Sequence, residues 1–139
     1  MYYSEFKGKK ISALGMGCMR FPTTEDGKID SARAEEIIDL AIEGGINYFD
    51  TAYIYHRGES ERFVGKALSK YPRDSYFLAT KYPGFSEDNF KDPEGTFAHQ
   101  LEKCGVEYFD FYLFHALNKD NYQKHKKCNS FNIVKKLKE

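Results

Sequence analysis

Four side chains that can take part in proton transfer stand at regular places along the sequence. Asp50, Lys81 and His115 each end a short apolar segment, and Tyr55 follows five residues after Asp50 in a polar loop. A carboxylate, an ammonium, an imidazole and a phenol can together accept, donate and stabilise protons. The set predicts proton-transfer chemistry if the fold brings the four groups together.

Taken singly, each of these residues has an ordinary structural interpretation. Asp50 could cap a turn, Lys81 could reach solvent from a sheet edge, and His115 could be a hydrogen-bonded core histidine. Tyr55 could simply pack on the surface. The combination is much more specific, because a lysine beside an aspartate forms an ion pair, and the same cation lowers the pKa of a nearby tyrosine by favouring its phenolate.

A tyrosine tuned in this way can give its proton to a carbonyl oxygen, and a histidine at the same oxygen can orient the substrate by hydrogen bonding. The set therefore predicts carbonyl reduction. Hydride must come from a bound cofactor, because no side chain supplies it.

A repeated strand–helix pattern predicts where these residues lie. Strand ends fall near Gly17, Asp50, Lys81 and His115, at intervals of 31 to 34 residues, and one strand–helix–strand unit takes about 30 or more residues. The predicted strands are segment 11–19, where the strand runs into a glycine turn, and segments 46–50, 75–81 and 108–115. A first predicted helix follows a cap at Asp30 or Ser31, and the others begin at Ser60, at Pro93 or Thr96, and at about Ser130. Gly44 with Gly45 ends the first helix and Pro72 the second.

This α/β repeat is compatible with an open doubly wound sheet or a (β/α)8 barrel. The turn 15–20 (GMGCMR) lacks the third glycine of a dinucleotide-binding fingerprint. Ionisable residues at the carboxyl ends of three successive strands favour the barrel, where active sites are built at that end. A full barrel needs about 250 residues. The 139 residues therefore predict a partial (β/α)8 TIM barrel, about the first four βα units, in one domain of residues 1–139.

Charge and composition argue against several classes of function. Basic and acidic residues number 21 each, so the zero net charge gives no electrostatic reason to expect nucleic acid or an anionic membrane as partner. Cys18, Cys104 and Cys128 are too far apart to suggest a disulfide framework or a metal site. The first ten residues lack the apolar region expected of a signal peptide, and no apolar run approaches about 20 residues, so the cytoplasm is the expected location. The Lys-rich segments 124–128 and 135–138 are interpreted as a solvated helix face with its neighbouring loop.

Several segments together resemble the aldo-keto reductases. Residues 45–55 (GINYFDTAYIY), followed by 58–65 (GESERFVG), are similar to the first signature of that family. Residues 77–81 (FLATK) and 108–115 (YFDFYLFH) resemble its lysine and histidine strands. The order and spacing also match, and the resemblance covers nearly the whole chain, from about Ile11 to Glu139.

The resemblance implies a role for each of the four residues. Tyr55 would be the general acid that protonates the carbonyl, Lys81 would tune it, Asp50 would pair with Lys81, and His115 would position the substrate oxygen. Tyr53 is a nearby rival for the acid role, but Tyr55 has the family's spacing from Asp50. The substrate would be a small aldehyde or ketone, which is reduced to an alcohol.

The resemblance also implies NADPH, or less often NADH, as the cofactor. Gly17, Cys18 and Met19 correspond to positions near the nicotinamide ribose in relatives, and Asp50 is the fourth residue expected at the cofactor. No metal ligand is expected, and the iron–sulfur cluster of some relatives is not encoded in this segment. The family's phosphate-binding residues belong to later strands, so the choice between NADPH and NADH stays open, as do the identity of the substrate and the oligomeric state.

The length of the chain leaves three accounts open. The chain could be a fragment of a longer enzyme, a truncated or decayed gene product, or a half-barrel that pairs with a copy of itself through its open edges. A truncated chain could also be catalytically inactive or act as an interaction module, because a fold does not guarantee turnover. Cofactor binding by this chain discriminates between an enzyme and such a module.

Overall fold

The fold consists of an N-terminal hairpin and a parallel sheet flanked by helices. The computed structural model describes residues 1–137; Lys138 and Glu139, at the end of the predicted domain 1–139, lie outside the described residues. The strands are β1 (Tyr3–Phe6), β2 (Lys9–Ser12), β3 (Met16–Gly17), β4 (Tyr48–Asp50), β5 (Phe77–Tyr82) and β6 (Phe111–Phe114). The helices are α1 (Ser31–Glu43), α2 (Ser60–Leu68), α3 (Glu87–Lys91), α4 (Pro93–Cys104), α5 (Lys119–Lys127) and α6 (Ser130–Lys136).

The strands β3 to β6 pair in chain order, and all three pairings are parallel. In this register Gly17 lies opposite Asp50, Asp50 opposite Ala79, and Lys81 opposite Leu113. The predicted α/β fold with a parallel sheet is confirmed. The last three predicted strands each begin two or three residues before the observed ones, because the sheet ladder starts later than the apolar segment does.

The N-terminal hairpin shows that the predicted first strand is wrong. Segment 11–19 is not one strand: β2 ends at Ser12 and β3 begins at Met16. Between them the Ser12 hydroxyl donates to the Leu14 carbonyl at 2.7 Å, which closes a turn instead of continuing the strand. Sequence reasoning missed β1 because that strand is exposed along its whole length and so has no apolar alternation to mark it.

The four predicted helices begin at expected residues, namely Ser31, Ser60, Pro93 and Ser130. The helices α3 and α5 were not predicted. Each begins with a capping box, but the third helical residue is asparagine instead of the usual glutamate or glutamine. The predicted end of the second helix is also wrong, because α2 ends at Leu68 and not at Pro72. No helix within residues 1–137 is long and apolar enough to cross a membrane.

The hydrophobic core lies between the sheet and the helices α1, α2 and α4. Ile38, Phe49 and Leu78 are fully buried in it. The helices α2 and α4 approach until their backbones nearly touch, because position 65 is a glycine. A Cβ on Gly65 would lie 2.1 Å from the carbonyl oxygen of Cys104, so any side chain there would force the two helices apart.

His125 on α5 is buried, so the expectation of a solvated face over 124–128 is wrong for this residue. Neither of its ring nitrogens has a hydrogen-bond partner among residues 1–137. Burial lowers the pKa of His125 from its ordinary value of 6.5, and the neighbouring Lys124 ammonium lowers it further. Four aromatic rings enclose the imidazole, with centres 5.0 to 5.9 Å away: those of Tyr82, Phe90, Phe114 and Phe131.

We expect the folded chain to lose stability as the pH falls below about 6.5, and His125 to contribute to that loss. The unfolded chain protonates this histidine at its ordinary pKa, whereas the folded chain, in which the pKa is lowered, does so only at lower pH. Falling pH therefore favours the unfolded state. Urea unfolding at about pH 7.5 and about pH 5.5 measures the loss, which should be smaller in His125→Leu. His99→Leu is the control, since half of that side chain is exposed. An equal loss in wild type and His125→Leu would contradict the prediction.

Candidate active site

The four residues singled out by their chemistry converge at one end of the parallel sheet. Asp50 is the last residue of β4, Lys81 is the penultimate residue of β5, and His115 directly follows β6. Tyr55 begins a short 3-10 turn beyond β4. Parallel strands end at the same edge of a sheet, so the end of each strand delivers its side chain to one rim.

The ammonium group of Lys81 is held by two oxygen atoms. Its Nζ donates to Oδ1 of Asp50 at 2.5 Å and to the carbonyl oxygen of Thr51 at 2.8 Å. The Lys81 side chain is 14% exposed and that of Asp50 29%, so solvent weakens the ion pair less than it would on an open surface. The same nitrogen lies 4.8 Å from the centre of the Tyr55 ring. The cation is therefore fixed beside the phenol.

His115 also packs against Tyr55. The two rings are nearly perpendicular, with centres 5.7 Å apart, and Phe85 packs against the imidazole at 5.0 Å. Burial lowers the pKa of His115, the Lys81 ammonium lowers it further, and the Asp50 carboxylate acts in the opposite direction. The net direction is downward from 6.5, so the imidazole is neutral at pH 7. Its buried Nδ1 has no hydrogen-bond partner within residues 1–137.

Tyr53, the rival for the acid role, does not approach this cluster. Its ring packs towards α4, where the Lys103 ammonium lies 4.7 Å from the ring centre and the His99 ring lies at 6.5 Å. The loop therefore directs its two tyrosines to different places. Tyr55, and not Tyr53, contacts Lys81 and His115.

The residues predicted at the cofactor separate into two groups. Gly17 is exposed at the end of β3, and no described atom lies within 4 Å of the place that a Cβ would take there. Met19 is half exposed. Cys18 is fully buried, and burial raises the pKa of its thiol to about 12, with Asp50 adding to the rise. A molecule on the rim could thus contact Gly17 and Met19, but not the thiol of Cys18.

Ser60 supports the rim and was not recognised in the sequence. This residue, fully buried at the start of α2, donates from its hydroxyl to the Cys18 carbonyl at 2.9 Å and lies 2.9 Å from the hydroxyl of Thr51. It thereby links the segments that follow β3 and β4. Its place in segment 58–65 (GESERFVG), which resembles the family signature, could have marked Ser60 as part of the site. A serine at the start of a helix is, however, ordinarily interpreted as a cap.

The loop that carries Tyr55 contains unusual backbone. His56 and Arg57 have φ angles of 49° and 57°, which non-glycine residues rarely adopt. The Nε2 of His56 accepts a hydrogen bond from the backbone N–H of Phe21 at 3.0 Å. Burial lowers the pKa of His56, which keeps this nitrogen available as an acceptor. The left-handed turn is thus held against the segment after β3.

The four residues lie on an open rim. Two depressions elsewhere, one of about 450 Å³ along the free edge of β6 and one of about 540 Å³ between residues 27–31 and 56–66, contain none of the four. Within residues 1–137 no three histidine, cysteine, aspartate or glutamate side chains come close enough together to hold a metal ion.

Comparison with known proteins identifies the family. Residues 13–139 match the aldo/keto reductase family. The oxidoreductase YqkF of Bacillus subtilis is 36% identical over 115 residues, which are 76% of this chain and 35% of that protein. The holo form of an aldo-keto reductase from Bacillus halodurans superimposes with a TM-score of 0.68 at 32% identity, over 84% of this chain and 40% of that one.

A solved aldo-keto reductase from Klebsiella pneumoniae in complex with NADPH has a TM-score of 0.66 at 21% identity, over 93% of this chain and 44% of that one, and its likeness supports the fold alone. The chain spans about a third to a half of the length of its relatives. The solved relatives are (β/α)8 barrels, which confirms the prediction of a partial (β/α)8 TIM barrel. The chain belongs to the aldo-keto reductase family, as its strand motifs predicted.

Proposed function

We propose that residues 1–139 form the N-terminal half of an NAD(P)H-dependent oxidoreductase domain that reduces aldehyde or ketone carbonyls to alcohols. The observation that carries the proposal is the Lys81 ammonium, which is bonded to Asp50 and lies 4.8 Å from the Tyr55 ring. A cation fixed beside a phenol is what proton donation to a carbonyl oxygen requires.

Tyr55 is the proposed general acid. Reduction adds a hydride to the carbonyl carbon and a proton to its oxygen, and bound NADPH or NADH supplies the hydride. Tyr55 gives its phenolic proton to the oxygen as negative charge develops there. The phenolate left on Tyr55 is stabilised by the Lys81 ammonium, and solvent later returns the proton.

Asp50 keeps the ammonium of Lys81 in place throughout this step. Within residues 1–137 the carboxylate and the Thr51 carbonyl occupy two of the three donor positions of the ammonium, so the third can face the Tyr55 ring, whose centre lies 4.8 Å away. A lysine side chain without these hydrogen bonds would lose rotational freedom about several of its bonds on adopting that position, which costs conformational entropy. Because the hydrogen bonds to Asp50 and Thr51 already hold the side chain, most of this entropy is lost on folding and not when the substrate binds.

His115 is proposed to orient the carbonyl oxygen. Its lowered pKa keeps the ring neutral, so one ring nitrogen carries a hydrogen and can donate to the substrate oxygen without competing for the proton of Tyr55. The rings of Phe85 and Tyr55, with centres 5.0 and 5.7 Å from that of the imidazole, restrict its orientation.

Gly17, Met19 and Asp50 are the proposed contacts to the nicotinamide end of the cofactor, and Cys18 contributes only backbone there. NADPH is the first candidate and NADH the second, because the aldo-keto reductase family, to which the chain belongs, uses NAD(P)H. The open space at Gly17 fits a bulky group on the rim.

We place the reaction in the cytoplasm, because Cys18, Cys104 and Cys128 are free thiols and such thiols are usual in reducing compartments.

Cofactor binding by the 139-residue chain is a direct test of the proposed function. If the half-barrel assembles a working site by pairing with a copy of itself, we expect saturable binding of NADPH in the micromolar range, about −8 kcal/mol, followed by the fluorescence of the reduced nicotinamide. Gly17→Val should weaken binding, because the valine side chain enters the open space at the rim, while the melting temperature stays near that of the wild type. If no binding occurs even at millimolar NADPH, this chain is not a functional reductase on its own.

The second prediction concerns the acid. Tyr55→Phe should lower turnover by roughly 10²-fold to 10⁴-fold, the usual contribution of general acid catalysis, and should leave NADPH affinity nearly unchanged. The measurement is the oxidation of NADPH with an aromatic aldehyde, by this chain or by a polypeptide that contains it. Tyr53→Phe is the matched control and should retain turnover. Equal effects of the two substitutions would remove Tyr55 from the mechanism.

The third prediction concerns the charge around His115. The ammonium of Lys81 lowers the pKa of His115 and the carboxylate of Asp50 raises it, so Lys81→Met should raise the titration midpoint of His115 and Asp50→Asn should lower it. The proton resonance of the imidazole C2–H, followed by NMR as the pH is varied, reports the midpoint directly. If the titration midpoint of His115 shifted in the same direction in both variants, these two charges would not face His115 as described.

A further inference from the structure

Glu61 is a fully buried carboxylate that the proposed reaction does not use. It is the second residue of α2 and faces the sheet from the helix side. Its Oε1 accepts from the Thr80 hydroxyl at 2.6 Å and from the Gln100 amide at 2.5 Å, and its Oε2 accepts from the Lys103 ammonium at 2.9 Å. A buried carboxylate with three donors is well compensated, but assembling such a group still costs desolvation.

Gln100 connects Glu61 by hydrogen bonds to β5, the strand that holds Lys81. Its amide nitrogen, besides binding Glu61, lies 3.1 Å from the carbonyl oxygen of Lys81. Its amide oxygen accepts from the Tyr112 hydroxyl on β6 at 2.6 Å. Burial raises the pKa of Tyr112, and the Glu61 carboxylate raises it further, so this phenol remains a donor. Glu61 and Gln100 together connect the end of β5 with β6.

Lys103 connects Glu61 to the loop that contains Tyr53 and Tyr55. Only 6% of its side chain is exposed, and its ammonium lies over the Tyr53 ring at 4.7 Å. Tyr53 stands two residues before Tyr55 in the same loop. One carboxylate is therefore connected, through one intermediate side chain on each side, to the backbone of Lys81 and to the loop of Tyr55.

We propose that Glu61 is a positioning residue that sets the ammonium of Lys81 against the Tyr55 ring. Stability alone does not call for this arrangement, since apolar residues of similar volume often replace a buried ion pair without loss. The helix–sheet interface beside it, around Phe49 and Leu78, is apolar. A hydrogen-bonded carboxylate adds what an apolar contact lacks, namely fixed directions and distances.

The proposal rests on the proposed function, because the position of Lys81 matters only if that residue acts on Tyr55. It can nevertheless be tested without turnover. Once Glu61 no longer holds the end of β5, the Lys81 ammonium withdraws from the rim, and its effect on His115 weakens. The direct electrostatic effect of removing the Glu61 charge has the opposite sign, because losing a negative charge disfavours protonation of His115.

The experiment is an NMR titration of the His115 C2–H in the 139-residue chain, comparing Glu61→Gln with wild type. We expect the midpoint to rise by at least half of the rise that Lys81→Met produces. Glu59→Gln is the matched control, since it removes the same charge two residues away from a side chain that is mostly exposed, and it should leave the midpoint unchanged. An unchanged or lowered midpoint in folded Glu61→Gln would overturn the proposal.

Two further variants separate positioning from stability. Glu61→Gln combined with Lys103→Met removes both buried charges, so we expect thermal stability to recover while the His115 midpoint stays raised. Recovery of both quantities would show that Glu61 only stabilises the fold. If Glu61→Gln does not fold, Gln100→Met interrupts the connection to the Lys81 carbonyl without changing any charge, and it should raise the midpoint in the same way; no rise would overturn the proposal.

Lys81→Met also distinguishes failure of this proposal from failure of the proposed function. If that variant leaves the His115 midpoint unchanged, the ammonium does not act at the site, and the proposed function fails with everything that rests on it. If Lys81→Met raises the midpoint and both Glu61→Gln and Gln100→Met leave it unchanged, only the role of Glu61 is refuted.

Discussion

The ion pair between Lys81 and Asp50 is the interaction on which the rest of the site depends. It forms because two neighbouring parallel strands end at the same edge, and because Asp50 and Lys81 occupy the face of the sheet opposite the hydrophobic core. A shift of one residue in the pairing of β4 with β5 would turn Lys81 towards that core. The apolar residues between the strands and the helices therefore determine where the charge lies, and Tyr55 and His115 take their places relative to it.

Beneath this pair lies a polar layer within an otherwise apolar helix–sheet interface. Ser60 and Glu61, adjacent at the start of α2, serve neighbouring parts of it. Ser60 connects the segments after β3 and β4, and Glu61 connects β5 with α4. The first turn of one helix thereby contacts the ends of three consecutive strands. Helix starts suit this purpose, because their backbone N–H groups favour nearby carboxylates and hydroxyl oxygens.

The sequence predicted the parallel sheet, the four chemical groups and their common rim, since these depend on residue types at regular strand ends. It did not predict what depends on contacts between distant segments. Glu61 looks like a solvent-exposed residue at the start of a helix, and only the approach of α4 shows that it is buried. His125 looks like part of a basic run, because its aromatic enclosure comes from four separate elements. The hairpin of β1 and β2 is exposed and leaves no apolar period to detect.

The close approach of α2 and α4 at Gly65 has an evolutionary consequence. Glu61 on α2 forms hydrogen bonds with Gln100 and Lys103 on α4. These side chains can bridge the two helices only because the helices lie so close together. A side chain at position 65 would separate the helices, so the hydrogen bonds of Glu61 to Gln100 and Lys103 would have to span a longer distance. Evolutionary change at this glycine would thus disturb hydrogen bonds that the glycine itself does not make.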